Sequence, residues 1–95
     1  MATFLLESYR PGVTDDEFSA ADRNLAAAAQ ALEASGADIA VLRTTYVPSD
    51  EACLWLVSAP DRAGVTALLE RAALRIDRIT MVGELPARSP DPAVR

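Results

Sequence analysis

The amino-acid sequence predicts a small α+β domain whose elements run β-α-β-β-α-β. Two stretches carry apolar residues at spacings of three and four, and each opens on a residue suited to capping a helix. Four short runs rich in β-branched, leucine and aromatic residues lie around them, separated by Pro, Gly, Ser and Asp. The chain has 95 residues, enough for one domain and too few for two.

The first run, residues 3–9, is apolar and stops at Arg10-Pro11-Gly12, which reads as a strand and a turn. Thr14-Asp15-Asp16-Glu17 then fits a capping box, with Thr14 as N-cap and Glu17 reaching back from the third helical position. Val13 and Phe18 stand where a hydrophobic staple would sit, and the aspartates suit the positive end of the helix dipole. Phe18, Ala21, Leu25, Ala28 and Leu32 form one apolar stripe, and Ser35-Gly36 closes a helix of about twenty residues.

Residues 39–47 and 52–58 read as a hairpin around Pro48-Ser49-Asp50-Glu51. Asp61 is placed to cap a second helix with the stripe Val65, Leu68, Leu69 and Ala72, running to about Arg75. A last strand is expected over 78–85. The tail, 86–95, holds three of the six prolines and is expected to be flexible, leaving 1–85 as the domain. Right-handed crossovers around both helices turn this order into a four-stranded antiparallel sheet with both helices on one face, the ferredoxin-like fold.

An antiparallel sheet covered on one face should alternate apolar and polar residues. Here both faces are apolar. The first strand sets Phe4 and Leu6 against Leu5 and Tyr9; the third sets Cys53, Trp55 and Val57 against Leu54 and Leu56; the second sets Ile39 and Val41 against Leu42 and Tyr46. Leaving such side chains wet forfeits roughly 25 cal/mol per Å2. The simplest cover is a second copy packed sheet to sheet, so a homodimer of the dimeric α+β barrel type is expected; the alternative is that edge residues and the tail fold back over the face.

Composition narrows the function classes. All nine basic residues are arginine, there is no histidine, and the net charge is −5. That balance lacks the basic footprint of a nucleic-acid binder and would be repelled by an anionic membrane surface. No apolar run is long enough to span a bilayer, and the first residues lack the pattern of a signal peptide, so a cytoplasmic protein is expected. The single cysteine, Cys53, excludes an internal disulfide. Without histidine neither a Cys–His nucleophile nor a Ser–His triad exists, and no glycine-rich phosphate loop is present.

Charges that interrupt apolar strands are costly unless paired, solvated or used. Glu7, Arg43 and Glu84 are such residues. Two readings fit: Glu7 and Glu84 near strand ends, wet or paired with arginine, or a pocket with a carboxylate that transfers protons and a guanidinium that steadies an anion. Tyr9 and Tyr46 can supply phenolic donors, and Asp22 stands at the edge of the first helix's apolar stripe.

Several stretches resemble a domain-of-unknown-function family of small actinobacterial ferredoxin-like proteins that includes nickel-binding members. They are Leu5-Leu6-Glu7 running into Pro11-Gly12-Val13-Thr14, then Cys53-Leu54-Trp55-Leu56-Val57-Ser58-Ala59-Pro60, then Glu70-Arg71-Ala72-Ala73-Leu74 with Asp77-Arg78-Ile79. The resemblance spans residues 3–85 and implies a ferredoxin-like homodimer. Metal-binding members carry histidines where this chain has Asp22, Arg43 and Leu74, and often a cysteine where it has Trp55. Carboxylates and carbonyls alone are ligands nickel does not favour, so no metal and no cofactor is expected.

The expected function is therefore the binding of a small organic molecule by a homodimer. The first reading is a cofactor-independent isomerase or cyclase of small-molecule metabolism, an analogy of fold. Glu7, Arg43 and Tyr46 would be its catalytic residues, and Asp22, Trp55, Leu74 and Glu84 would line the substrate cleft between the first helix and the sheet. The alternatives are a ligand-binding or sensor module that has lost its metal, and a structural dimerisation partner, which a pocket closed by Trp55 and Leu74 would favour.

Overall fold

Thr14 opens the first helix by local chemistry: its Oγ1 accepts the Glu17 N–H at 3.2 Å, filling one donor that the helix start leaves free. Asp61 does the same for the second, accepting the Gly64 N–H at 2.9 Å. The two helices are α1 (Asp15–Ala34) and α2 (Arg62–Ala72) in a computed structural model that describes residues 1–83. Glu84, the last residues of the expected fourth strand and the tail 86–95 lie outside the described residues.

The strands are β1 (Ala2–Tyr9), β2 (Ala40–Val47), β3 (Ala52–Ala59) and β4 (Arg78–Val82), all antiparallel in the order β2-β3-β1-β4. The architecture is the expected ferredoxin-like one. One core joins the layers: Phe4, Leu6, Trp55 and Val57 from the sheet are buried with Leu25, Ala28 and Ala29 of α1 and Val65 and Leu68 of α2. Alanines at 28 and 29 let α1 lie close to its neighbours, and α1 and α2 pack against each other as well as against the sheet.

Three local features depart from the sequence reading. Glu17 turns to Arg10, an exposed ion pair of 3.8 Å, in place of the reciprocal capping-box bond. Helix α2 stops at Ala72, short of Arg75, because Ala73 takes a left-handed φ of 52° and its N–H closes on Glu70 O. Glycine is the usual residue there; alanine bears a strain of about 1–2 kcal/mol. Strand β2 carries a bulge between Val41 and Arg43 that turns Leu42 out to 52% exposure. An extra residue in one strand flips everything after it to the other face. Val41 therefore pairs with buried Val57, Arg43 with outward-facing Leu56, and Thr44 with buried Trp55. Tyr46 thus joins Val41 on the helix-covered face, and not Leu42 as plain alternation predicts.

The hairpin after β2 passes through a 3₁₀ turn, Pro48–Asp50, and then Glu51, whose φ of 50° is also left-handed. Glu51 binds the loop after β1 twice: its carbonyl accepts the Arg10 N–H at 3.0 Å and its carboxylate accepts the Gly12 N–H. These bonds hold the β1–α1 loop against the end of the sheet.

Candidate functional site

Under α1 the sheet's inner face is filled by one polar-aromatic unit. Trp55, only 1% exposed, donates its Nε1–H to Asp22 Oδ1 at 3.1 Å, and Thr44 donates its hydroxyl to the same oxygen at 3.0 Å. The Phe18 ring stacks on Tyr46 at 4.7 Å between centroids and leans on Trp55 at 6.1 Å. Tyr46 spends its hydroxyl on the Val13 carbonyl at 3.4 Å, and desolvation raises its phenol above the ordinary value. The expected cleft between α1 and the sheet is thus occupied by the protein's own indole. Trp55 and Asp22 hold the core together there and do not line a substrate cleft.

The sheet's outer face carries the other constellation. Leu5, Leu54 and Leu56 are half-buried there, around Glu7 and Tyr9, which share their face by alternation. Tyr9 donates its hydroxyl to Glu7 Oε1 at 2.6 Å, while Arg78 brings Nε to 3.7 Å from Glu7 Oε2. The Glu7 side chain keeps 13% exposure against 70% for Arg78, so the carboxylate sits low among apolar neighbours and the guanidinium stays in solvent. Accepting by Glu7, then desolvation, raises the Tyr9 phenol above its usual value. The backbone braces the pair: Asp77 N–H donates to Glu7 O at 2.9 Å and Tyr9 N–H donates to Asp77 Oδ2 at 2.7 Å.

The catalytic trio expected from sequence is only partly brought together. Glu7 and Arg43 share the outer face, with Arg43 exposed on edge strand β2, two strands from Glu7 in β1. Tyr46 is on the opposite face because of the bulge, and Tyr9 stands in its place beside Glu7. The Glu7–Tyr9 spacing of two residues in one strand was the sequence signal for this pair; nothing in the sequence singles out Arg78. Leu74 lies past the end of α2, half-buried against the core, and does not approach Glu7's face. Glu84 lies outside the described residues.

Of the four positions that the resemblance sets against metal ligands, Asp22 and Trp55 meet through a hydrogen bond. Asp22 has both its hydrogen bonds on one oxygen within the core, Arg43 faces the other way, and Leu74 is apolar. Among the described residues no group of three or more His, Cys, Asp or Glu side chains gathers around a common point. Among them too, no helix is long and apolar enough to cross a membrane.

No protein-family model matches the chain, and no curated protein does. Among solved structures, the crystal structure of SCO4226 from Streptomyces coelicolor A3(2) is similar. It is 23% identical, with a TM-score of 0.62 over 93% of this chain and 100% of that one. At that identity the likeness is one of architecture: the two chains share the ferredoxin-like fold.

Proposed function

We propose that the chain acts as a homodimer whose outer sheet faces meet in a dimeric α+β barrel, enclosing a small organic molecule for cofactor-free isomerisation or cyclisation. The observation that carries this reading is the Tyr9–Glu7 hydrogen bond, set on an apolar sheet face. A face meant only for solvent has no reason to place three leucines around a carboxylate.

In this reading Glu7 takes a proton from the carbon between a carbonyl and a carbon–carbon double bond and returns it to the far end of the resulting dienolate, so that the double bond moves and no electrons or atoms are gained. Tyr9 orients the carboxylate from one oxygen, and the other, held only by the exposed Arg78 at 3.7 Å, is the one that acts. Arg43, at the rim of the same face, steadies the oxyanion or a substrate carboxylate. A second reading, a binding module without catalysis, needs no proton transfer by Glu7, whereas Trp55, by closing the space under α1, favours a purely structural dimerisation partner.

Deuterium exchange separates the two. A 1,3-diketone such as acetylacetone, incubated in deuterated buffer, is expected to exchange its α-hydrogens faster with the protein than in buffer of equal pH. Glu7→Gln should abolish the acceleration, and Tyr9→Phe should reduce it about tenfold. Acceleration that survives Glu7→Gln removes Glu7 as the base. Binding with no acceleration leaves the non-catalytic module.

A further inference from the structure

A concavity lies at the end of the sheet where β1 leaves it, with Tyr9 at its border. It is a cleft of about 570 Å3 between the β1–α1 loop and the segment joining α2 to β4. That is within the usual range for small-molecule sites, roughly 300–1,000 Å3. Ser8, Arg10 and Pro11 line one side, and Leu74, Arg75 and Asp77 line the other.

The lining inverts the charge of the molecule. The chain carries −5 overall, yet two guanidiniums meet one carboxylate here. Asp77 already accepts the Tyr9 N–H, and Arg10 reaches Glu17 only across an exposed 3.8 Å pair. Arg75 makes no ion pair among the described residues. Arg10 is also close enough to the sheet end for its charge to draw the Cys53 thiol down against the larger upward push of burial, and Cys53 is the cross-strand partner of Ser8.

Ser8 is the second anomaly. Among the described residues it is the one polar member of the buried set, at 2% exposure, and it lines the cleft. The opposite wall is held by the strained Ala73, whose left-handed turn sends Leu74 and Arg75 into the cleft.

We infer that this cleft binds a small monocarboxylate with an apolar body, its carboxylate between Arg10 and Arg75 and within reach of the Ser8 hydroxyl, its body on Leu74 and Pro11. The net single positive charge of the lining matches a monoanion. A dianion such as phosphate would meet the Asp77 carboxylate without gaining from the apolar wall. Tyr9 of the proton-transfer reading also lines this cleft, but the inference assigns no role to it or to Glu7.

The test is a nitrogen-15 NMR titration of the full chain with sodium benzoate and with octanoate, using benzamide and inorganic phosphate as controls. Amides of residues 8–10, 12 and 73–77 are expected to shift with the two carboxylates and not with the controls. Arg75→Gln should weaken binding about fivefold and Ser8→Ala about threefold with the rest of the spectrum unchanged, as befits charged and neutral bonds at a partly wet site. Arg10→Gln supplies an independent second variant. Equal binding of benzamide, a preference for phosphate, shifts centred elsewhere, no shift with either carboxylate, or full affinity in both arginine variants would each overturn the inference.

Discussion

The two faces of the sheet each hold a carboxylate beside an aromatic hydroxyl or indole, and they use it in opposite ways. On the inner face Asp22 gives one oxygen to Thr44 and Trp55, and the whole unit is packed beneath α1. On the outer face Glu7 gives one oxygen to Tyr9, and the other meets only a solvent-exposed guanidinium at 3.7 Å. The comparison shows when a charge among apolar residues is structural. If the fold's own donors saturate it, it is part of the core. If one lone pair faces an apolar surface that the described residues leave uncovered, it is available for chemistry.

The inner unit breaks most visibly. Trp55→Ala removes a fully buried indole and should cost about 3–5 kcal/mol, read as a large fall in the midpoint of urea or thermal unfolding. A loss below 1 kcal/mol would mean that the indole does not fill the space under α1. Asp22→Ala strands two donors and should cost about 2–3 kcal/mol, whereas Asp22→Asn keeps the accepting oxygen and should cost less than half as much. Equal losses in the two variants would show that charge, and not acceptance, matters at that position.

The sharper probe of the outer face is pH. Hydrogen bonding to Glu7 raises the Tyr9 phenol above its ordinary value of 10.0, and desolvation adds to this. The folded chain therefore holds a proton that the unfolded chain releases. This stabilisation is complete below about pH 10 and is lost as pH rises through the folded value. Tyr46, raised chiefly by desolvation, acts in the same direction. In Tyr46→Phe the remaining tyrosine should titrate by ultraviolet absorbance above 10.0, and adding Glu7→Gln should bring it down. A midpoint unmoved by that second change would detach Tyr9 from Glu7.

Much of the scaffold was legible because its signals are local. Thr14 and Asp61 cap where their spacing to the apolar stripes places them, and strict alternation sorted Phe4 and Leu6 from Leu5 and Tyr9. What escaped depends on contacts between distant segments. The bulge at Val41/Arg43 leaves no mark in composition, yet it carried Tyr46 away from Glu7 and into the stack on Phe18. The end of α2 was misplaced because an alanine, against its preference, takes the left-handed turn that glycine usually makes. Asp22 and Trp55 are 33 residues apart, and no periodicity announces that the indole will fill the cleft expected there. Arg78 and Ser8 became candidates only when register set them beside Glu7 and at the mouth of a cleft.

The central claim is that the outer face, with Glu7 and Tyr9 on it, is closed by a second copy. Sedimentation equilibrium at micromolar concentration measures this directly. The account requires a mass twice the 10.1 kDa of one chain, falling to that single value in Leu56→Glu with the helical spectrum retained. A wild-type species at 10.1 kDa across that concentration range would contradict it.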